Sequence, residues 1–471
     1  MPETANAPQP SRTLAARLGL RHPILQAPMA GVSNPRLAAA VTEAGGLGAL
    51  GIGANTADEA REAIAELRTR TSGPFALNVF CHRPAIRDSA REAAWIETLA
   101  PEFAALSAPA PTALREIYTS FLVDPEQQSL LLEARPPVAS FHFGLPDPEY
   151  LAALRRAGVF TIASVTSAAE ASLAEAAGVD ALVAQGVEAG GHRGVFDPDG
   201  ADPRLGVDAL VAALVPATEL PVIAAGGIMS GDDIHRVLAL GAAAAQLGTA
   251  FVASPESSAD QDYRTTLRTA GAGATELTTA ISGRPARGVT NRLIELGRAA
   301  GSARPADYPL AYDAGKQLHA AARALGDGRS YAAHWAGTGV HRARELPAGE
   351  LVELLARELA DAAAEGGAPA AEKLGEHPDV TGRWGSREDR DPHLELAADG
   401  ALTGSDGCNR LMGRWMRLPN GVAFERVAAT RMICPGTDTW LAGLASGKLQ
   451  DGRLIVFDAA GNRIGELPSL D

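Results

Sequence analysis

The sequence predicts an α/β protein: a closed parallel (β/α)8 barrel of the TIM type with a helical lid, joined to a small β-rich domain. Three observations carry that prediction. Eight short apolar runs between His22 and Thr249 each lead into a helical stretch, and alternation at that spacing builds a parallel sheet. A charged, proline-punctuated insertion at 83–135 interrupts the rhythm. Beyond Gly366-Gly367-Ala368-Pro369 the texture changes to alternating strands separated by turn signals.

Taken in order, residues 1–11 are polar and proline-rich, which reads as a disordered tail without the apolar core of a signal peptide. Residues 22–29 form a first strand that turns at Pro28. A helix over 34–44 follows, with Ser33 or Asn34 as its cap and Pro35 in its first turn. Residues 47–51 are the second strand, and 56–70 a helix opened by Thr56 with Glu59 three positions on. The third strand is 75–80. After the insertion come strands at 138–143, 160–164, 181–184, 221–228 and 244–249, separated by helices at 148–157, 167–177, 207–214 and 231–240. The domain expectation is a barrel over 12–360, its lid drawn from 83–135 and 257–345, a linker at 361–377 and the β-rich domain at 378–471.

Composition narrows the function classes. The chain has 471 residues, 46% of them apolar, and a formal net charge of −14. That charge argues against electrostatic binding to nucleic acid or an anionic membrane. No run reaches the ~18 apolar residues of a spanning helix. The three cysteines, Cys81, Cys408 and Cys434, are an odd and sparse set, which points to a reducing, cytoplasmic setting and against a standing Cys408–Cys434 disulfide. No His or Cys near that pair has zinc-ligand spacing.

The chemistry concentrates on the loops after the strands, where barrel enzymes carry their sites. Gly46-Leu47-Gly48-Ala49-Leu50-Gly51 matches a dinucleotide fingerprint but has its helix before and its strand after, the reverse of what that motif needs. Ala225-Gly226-Gly227 and Gln246-Leu247-Gly248-Thr249 end the seventh and eighth strands, the common phosphate position of such barrels. Asn78 and Gln185 place amides over the barrel mouth, suited to the edge of a heterocyclic ring. Gln185 opens a glycine-rich loop, Gln-Gly-Val-Glu-Ala-Gly-Gly-His-Arg-Gly-Val-Phe, whose His192 stands where no core needs filling. Arg193 beside it could add positive charge to the site or equally pair with Glu188. Tyr308, Tyr312 and Lys316, each four residues from the next, would share one helical face and suit a small oxyanion.

These residues together resemble the nitronate monooxygenase family, formerly called 2-nitropropane dioxygenases. The match runs from about Pro23 to about Gly339 and includes Gln26-Ala27-Pro28-Met29, Asn78-Val79-Phe80, Ser140-Phe141-His142-Phe143-Gly144, the Glu-Ala-Gly-Gly-His-Arg-Gly loop, Ala225-Gly226-Gly227-Ile228 and Trp335-Ala336-Gly337. The resemblance implies FMN, held by Ala27, Pro28, Met29, Asn78, Gln185, Gly190, Gly226, Gly227, Gln246, Leu247, Gly248 and Thr249. It implies His192 as the catalytic histidine, with Tyr118, His142, Tyr263, Tyr308, Tyr312 and Lys316 around the substrate. The expected reaction is oxidation of alkyl nitronates such as propionate 3-nitronate by O2, giving a carbonyl compound and nitrite. The rival reading is an NAD(P)H-dependent flavin reductase of quinones or enoyl thioesters on the same fold. A third makes the protein a binding or stress-response module led by its C-terminal domain. That domain, about 378–467, resembles the META domain through Gly404-Ser405-Asp406-Gly407-Cys408-Asn409-Arg410 and Thr430-Arg431-Met432-Ile433-Cys434-Pro435. It implies no catalysis; its partner is unknown, and the barrel leaves room for a homodimer.

Overall fold

The computed structural model describes residues 10–365 apart from 300, and 380–470 apart from 389–390, 398–399, 419–420, 431, 433, 435–436, 451 and 459–462. The chain divides into two units, Met1–Ala368 and Pro369–Asp471.

The first unit is a parallel barrel. Its strands are β1 (Ile24–Gln26), β2 (Gly48–Gly51), β3 (Phe75–Phe80), β4 (Val138–His142), β5 (Phe160–Val165) and β6 (Ala181–Gln185). After a two-residue strand β7 (Gly191–His192) outside the barrel, β8 (Val222–Ala225) and β9 (Ala244–Leu247) complete it. All eight predicted barrel strands are present, in the hydrogen-bonded order β1-β9-β8-β6-β5-β4-β3-β2, and the bridge Leu25↔Leu47 closes β2 onto β1. Side chains alternate as a strand period of two requires: Leu25, Ala49, Ala76, Ile162, Val183 and Ile223 fill the barrel interior, whereas Ile24, Leu50, Leu77, Val79 and Leu182 pack outward on the helices. Leu14 and Leu18, from the helix Pro10–Leu18, join the interior cluster.

Local signals behave as their chemistry dictates. Asn34 caps the helix Pro35–Glu43 through Arg36 N–H and Leu37 N–H, and Thr56 and Glu59 form a reciprocal capping box, each worth about 1 kcal/mol. Two boundary expectations shift. Pro10 and Ser11, placed in the tail, begin a helix, and residues 361–365, placed in the linker, end the helix Ala348–Glu365. The rest of the tail and linker, 1–9 and 366–377, lies outside the described residues.

The lid, expected to be mostly helical, also contains a small sheet. The helices Ser89–Ala105 and Leu310–Ala324 share one apolar cluster, with Trp95, Leu99 and Phe103 against Leu310, Ala314 and Leu318. Between them lies an antiparallel hairpin of β10 (Thr275–Thr278) and β11 (Ala286–Val289). β11 also pairs with β7, Ala286 opposite His192 and Arg287 opposite Gly191. The loop after β6 is therefore an edge strand of the lid sheet.

The second unit is an antiparallel meander from β12 (Gly382–Gly385) through β13 (His393–Leu396), β14 (Ala401–Ser405), β15 (Arg410–Leu418), β16 (Gly421–Ala429), β17 (Ser446–Gln450) and β18 (Arg453–Phe457) to β19 (Arg463–Pro468). Trp384, Leu394, Leu411, Val422, Leu454 and Val456 build its own core. The expectation of separate thiols is overturned, since Cys408 and Cys434 form a disulfide. Buried Asp406 accepts from Cys408 N–H and Asn409 N–H, and Asn409 Oδ1 accepts from Met432 N–H at 2.6 Å. Those bonds tie the two loops together and bring the sulfurs into range.

Candidate active site

The C-terminal ends of the barrel strands open into a cavity of about 1300 Å³, counted with its mouth. Its base is glycine-rich. Gly226 and Gly227 have φ of +131° and +68°, a region costly for residues with a Cβ. Their N–H groups meet no acceptor among the described residues. Ala27, Pro28, Met29, Gly190, Gln246, Leu247, Gly248 and Thr249 line the same region. Gln26 and Ser33 hold the 27–29 turn, Ser33 Oγ accepting from Met29 N–H at 2.8 Å and Gln26 Oε1 from Ala49 N–H at 2.9 Å.

The two amides have different duties. Asn78 gives its Nδ2 to Ser140 O and Ser140 Oγ, at 3.1 and 2.9 Å, and its Oδ1 has no donor among the described residues. Gln185, expected to read a ring edge, also clamps its own loop. Its Nε2 donates to His192 O at 2.9 Å and its Oε1 accepts from Gly194 N–H at 2.7 Å. His142 Nε2 also meets His192 O, at 3.1 Å. Arg193 is buried and pairs with Asp202 at 2.8 Å rather than with Glu188, while its Nη1 donates to Gln185 O. Glu188 instead accepts from Val207 N–H at 2.9 Å, and burial raises its pKa. A Cβ on Gly190 would lie 2.5 Å from Gly337 N, so this glycine lets the 336–337 backbone close over the loop.

His192 stands in an aromatic enclosure. Ring centroids lie 5.2 Å away for Trp335, 5.4 Å for Tyr308, 5.6 Å for Phe143 and 6.0 Å for Tyr312. Its Nε2 lies 2.9 Å from Ser282 Oγ. That hydroxyl donates to Arg284 O at 3.1 Å and accepts from Arg284 N–H at 3.3 Å. Hydrogen-bond accounting then assigns the ring proton to Nε2 and the lone pair to Nδ1, which has no partner among the described residues. Burial lowers the His192 pKa to about 3, with His142, Arg284 and His82 adding to the effect. The ring is neutral at physiological pH. Phe143, at the end of β4, has φ of +74°, a strain of about 1–3 kcal/mol for a bulky residue that surrounding packing must hold.

Most of the residues expected from the sequence line one cavity. His192, Tyr118, His142, Tyr263, Tyr308 and Tyr312 all line the cavity, as do all the expected cofactor residues. Tyr308, however, precedes its helix, which starts at Leu310 after Pro309. Asp307, just before it, uses its carboxylate on Ile86 N–H at 2.9 Å. Lys316 is the exception. It is exposed and does not line the cavity; its Nζ sits 4.9 Å from the Tyr118 ring and 5.3 Å from the Tyr312 ring, outside that wall. Trp335 and Phe143 were named only within the matched motifs, without a role, and Ser282 and Arg284 were not singled out. The signal available for the last two was a Ser-Gly-Arg turn between two strand-like runs.

A family model described as nitronate monooxygenase matches residues 11–358, and a META domain model matches 375–464. The chain belongs to the nitronate monooxygenase family. It is 56% identical over 348 residues to the nitronate monooxygenase of Paraburkholderia phytofirmans, covering 74% of this chain and 95% of that protein. Against the Pseudomonas aeruginosa nitronate monooxygenase it is 51% identical, covering 73% and 97%. A nitroalkane oxidase from Streptomyces ansochromogenes superposes with a TM-score of 0.69 at 43% identity, covering 74% of this chain and 99% of that one. FabK from Thermotoga maritima is more distant, with a TM-score of 0.57 at 28% identity over 76% of this chain and 98% of its own. Nitronate monooxygenases are flavoenzymes, and this cavity fits a flavin: free N–H groups at Gly226 and Gly227 suit a phosphate, and the Asn78 amide oxygen suits a ring N–H.

Proposed function

We propose that the protein binds FMN and oxidises alkyl nitronates such as propionate 3-nitronate with O2, giving a carbonyl compound and nitrite, as a detoxifying activity. The observation that carries this reading is a neutral histidine, its Nδ1 free, inside an enclosure of Tyr308, Tyr312, Trp335 and Phe143.

The flavin, when bound, supplies the electron acceptor. Gly226, Gly227, Gly248 and Thr249 would hold its phosphate, and Asn78 and the 27–29 turn its ring. His192 Nδ1, with its lone pair free, is the group placed to take the proton from the carbon beside a neutral nitro group, although burial makes it a weak base. For a nitronate, already deprotonated, the same ring orients the substrate. The aromatic walls exclude water from a small apolar substituent. Tyr308 and Tyr312 are candidate hydrogen-bond donors to the substrate oxygens, and burial raises both phenol pKa values so that they stay protonated.

Cytoplasmic location belongs to the same proposal. It rests on the sparse cysteine count, against which the Cys408–Cys434 bridge pulls; thiol counting on acid-quenched cell extracts decides.

Anaerobic titration of the purified protein with propionate 3-nitronate and, separately, NADH tests the reaction. Flavin bleaching by the nitronate is expected. Fast bleaching by NADH with none by the nitronate would establish the reductase reading suggested by the FabK likeness.

A further inference from the structure

Arg284 is a buried charge with no ion pair among the described residues. Only 2% of it is exposed. One guanidinium nitrogen donates to Val195 O, and its Nε has no partner. Its carbon lies 4.3 Å from the centroid of the Phe143 ring, and Phe143 lines the cavity beside His192 and Tyr308. Two carboxylates act on it, Asp307 and Glu170. Both are engaged elsewhere: Asp307 with Arg83 at 3.7 Å and Ile86 N–H, Glu170 with Thr166 N–H and Phe196 N–H. Burial brings the Arg284 pKa down only to about 10, so the side chain remains a cation at neutral pH.

An unpaired cation out of water is costly, and it acts over longer range than a solvated one because neither water nor salt screens it well. We propose that Arg284 is the fixed cation that makes this cavity prefer an oxyanion to a neutral molecule of the same shape. It does so as a positioning residue, across the Phe143 ring on which its guanidinium rests. Gly283 permits the arrangement: at φ +87° it packs where a Cβ would lie 2.3 Å from Ala306 O and 3.0 Å from Tyr308 N, so the Arg284 turn and the Tyr308 segment meet closely.

This inference rests on the nitronate reading for its physiological meaning but is tested without turnover. Calorimetric titration of the flavin-loaded protein compares nitrate, a planar oxyanion, with neutral nitromethane. Nitrate should bind the wild-type protein at least about tenfold more tightly. Arg284→Met should weaken nitrate about tenfold, about 1.4 kcal/mol, and leave nitromethane within about twofold; Arg284→Lys should keep most of the preference. Equal weakening of both ligands, or no change in nitrate, would overturn the assignment. If Arg284→Met does not fold, Lys316→Met carries the test. A nitrate preference that survives there supports Arg284, and its loss assigns the preference to the surface lysine. Arg284-dependent nitrate binding in a protein whose flavin propionate 3-nitronate cannot bleach would sink the proposed reaction and leave this inference standing.

Discussion

An imidazole must be neutral to accept a proton, and His192 is kept so by burial, with His142, Arg284 and His82 adding to the effect. The base form exists above the pKa and is lost as pH falls through it. Oxidation of a neutral nitroalkane should therefore show no His192 inflection near pH 6.5 and should decline from that cause only toward about pH 3. Steady-state profiles between pH 5 and 8 check this; a one-proton step near 6.5 contradicts it. His192→Asn should cost neutral nitroalkanes about a hundredfold or more in kcat/KM and pre-formed nitronates much less. Equal loss on both substrates would remove the base role. His192 was legible in the sequence because a lone histidine in a glycine-rich loop after a barrel strand stands out. Arg284 and Ser282 were not, since Ser282 reaches His192 across a separation of 90 residues.

The loop after β6 is placed by partners from distant elements. β7 pairs with β11, Gln185 bonds back to His192 O and Gly194 N–H, and the 336–337 backbone covers Gly190. Gly190→Ala should force that backbone away, because a Cβ 2.5 Å from a peptide nitrogen cannot be accommodated in place. The expected result is protein that folds but purifies with reduced flavin content and a several-fold higher KM. Flavin-to-protein absorbance reads the first, and unchanged occupancy would show that the loop can retreat without consequence. Strand and helix positions in the barrel were readable because each run of residues satisfies its own period and caps. The β10–β11 hairpin was not, because its strands are four residues each and β11 pairs with β7, a partner far away in the sequence.

Each unit has its own core and its own weak point. In the barrel unit His82, His142, His192 and His334 have pKa values lowered to about 4, 4, 3 and 4, burial first in every case. The unfolded chain takes up those protons near pH 6.5 while the native state refuses them. Stability is thus fully present above 6.5 and is lost as pH falls toward 4, by up to about 1.4 kcal/mol per pH unit per histidine. Urea midpoints at pH 7 and pH 5 should show a clear drop; equal midpoints would mean the rings are solvated. In the C-terminal unit the disulfide spans 26 residues, which by loop-closure entropy contributes on the order of 3 kcal/mol. Reductant should lower the melting transition of that unit and leave the flavin-reporting transition in place. Movement of both transitions together would show that the units unfold as one.

The sequence by itself determined the eight barrel strands, the glycine turns that suit a phosphate, and a histidine on the loop after the sixth strand. Each follows from residues near in the chain: period, cap, or the lack of a Cβ. Tertiary structure alone decided what faces that histidine, that Lys316 stands outside the cavity wall, that Arg193 is spent on Asp202, and that two cysteines meet. Those outcomes depend on which distant side chains share one buried space, and burial sets charge and proton affinity in ways that no local pattern encodes.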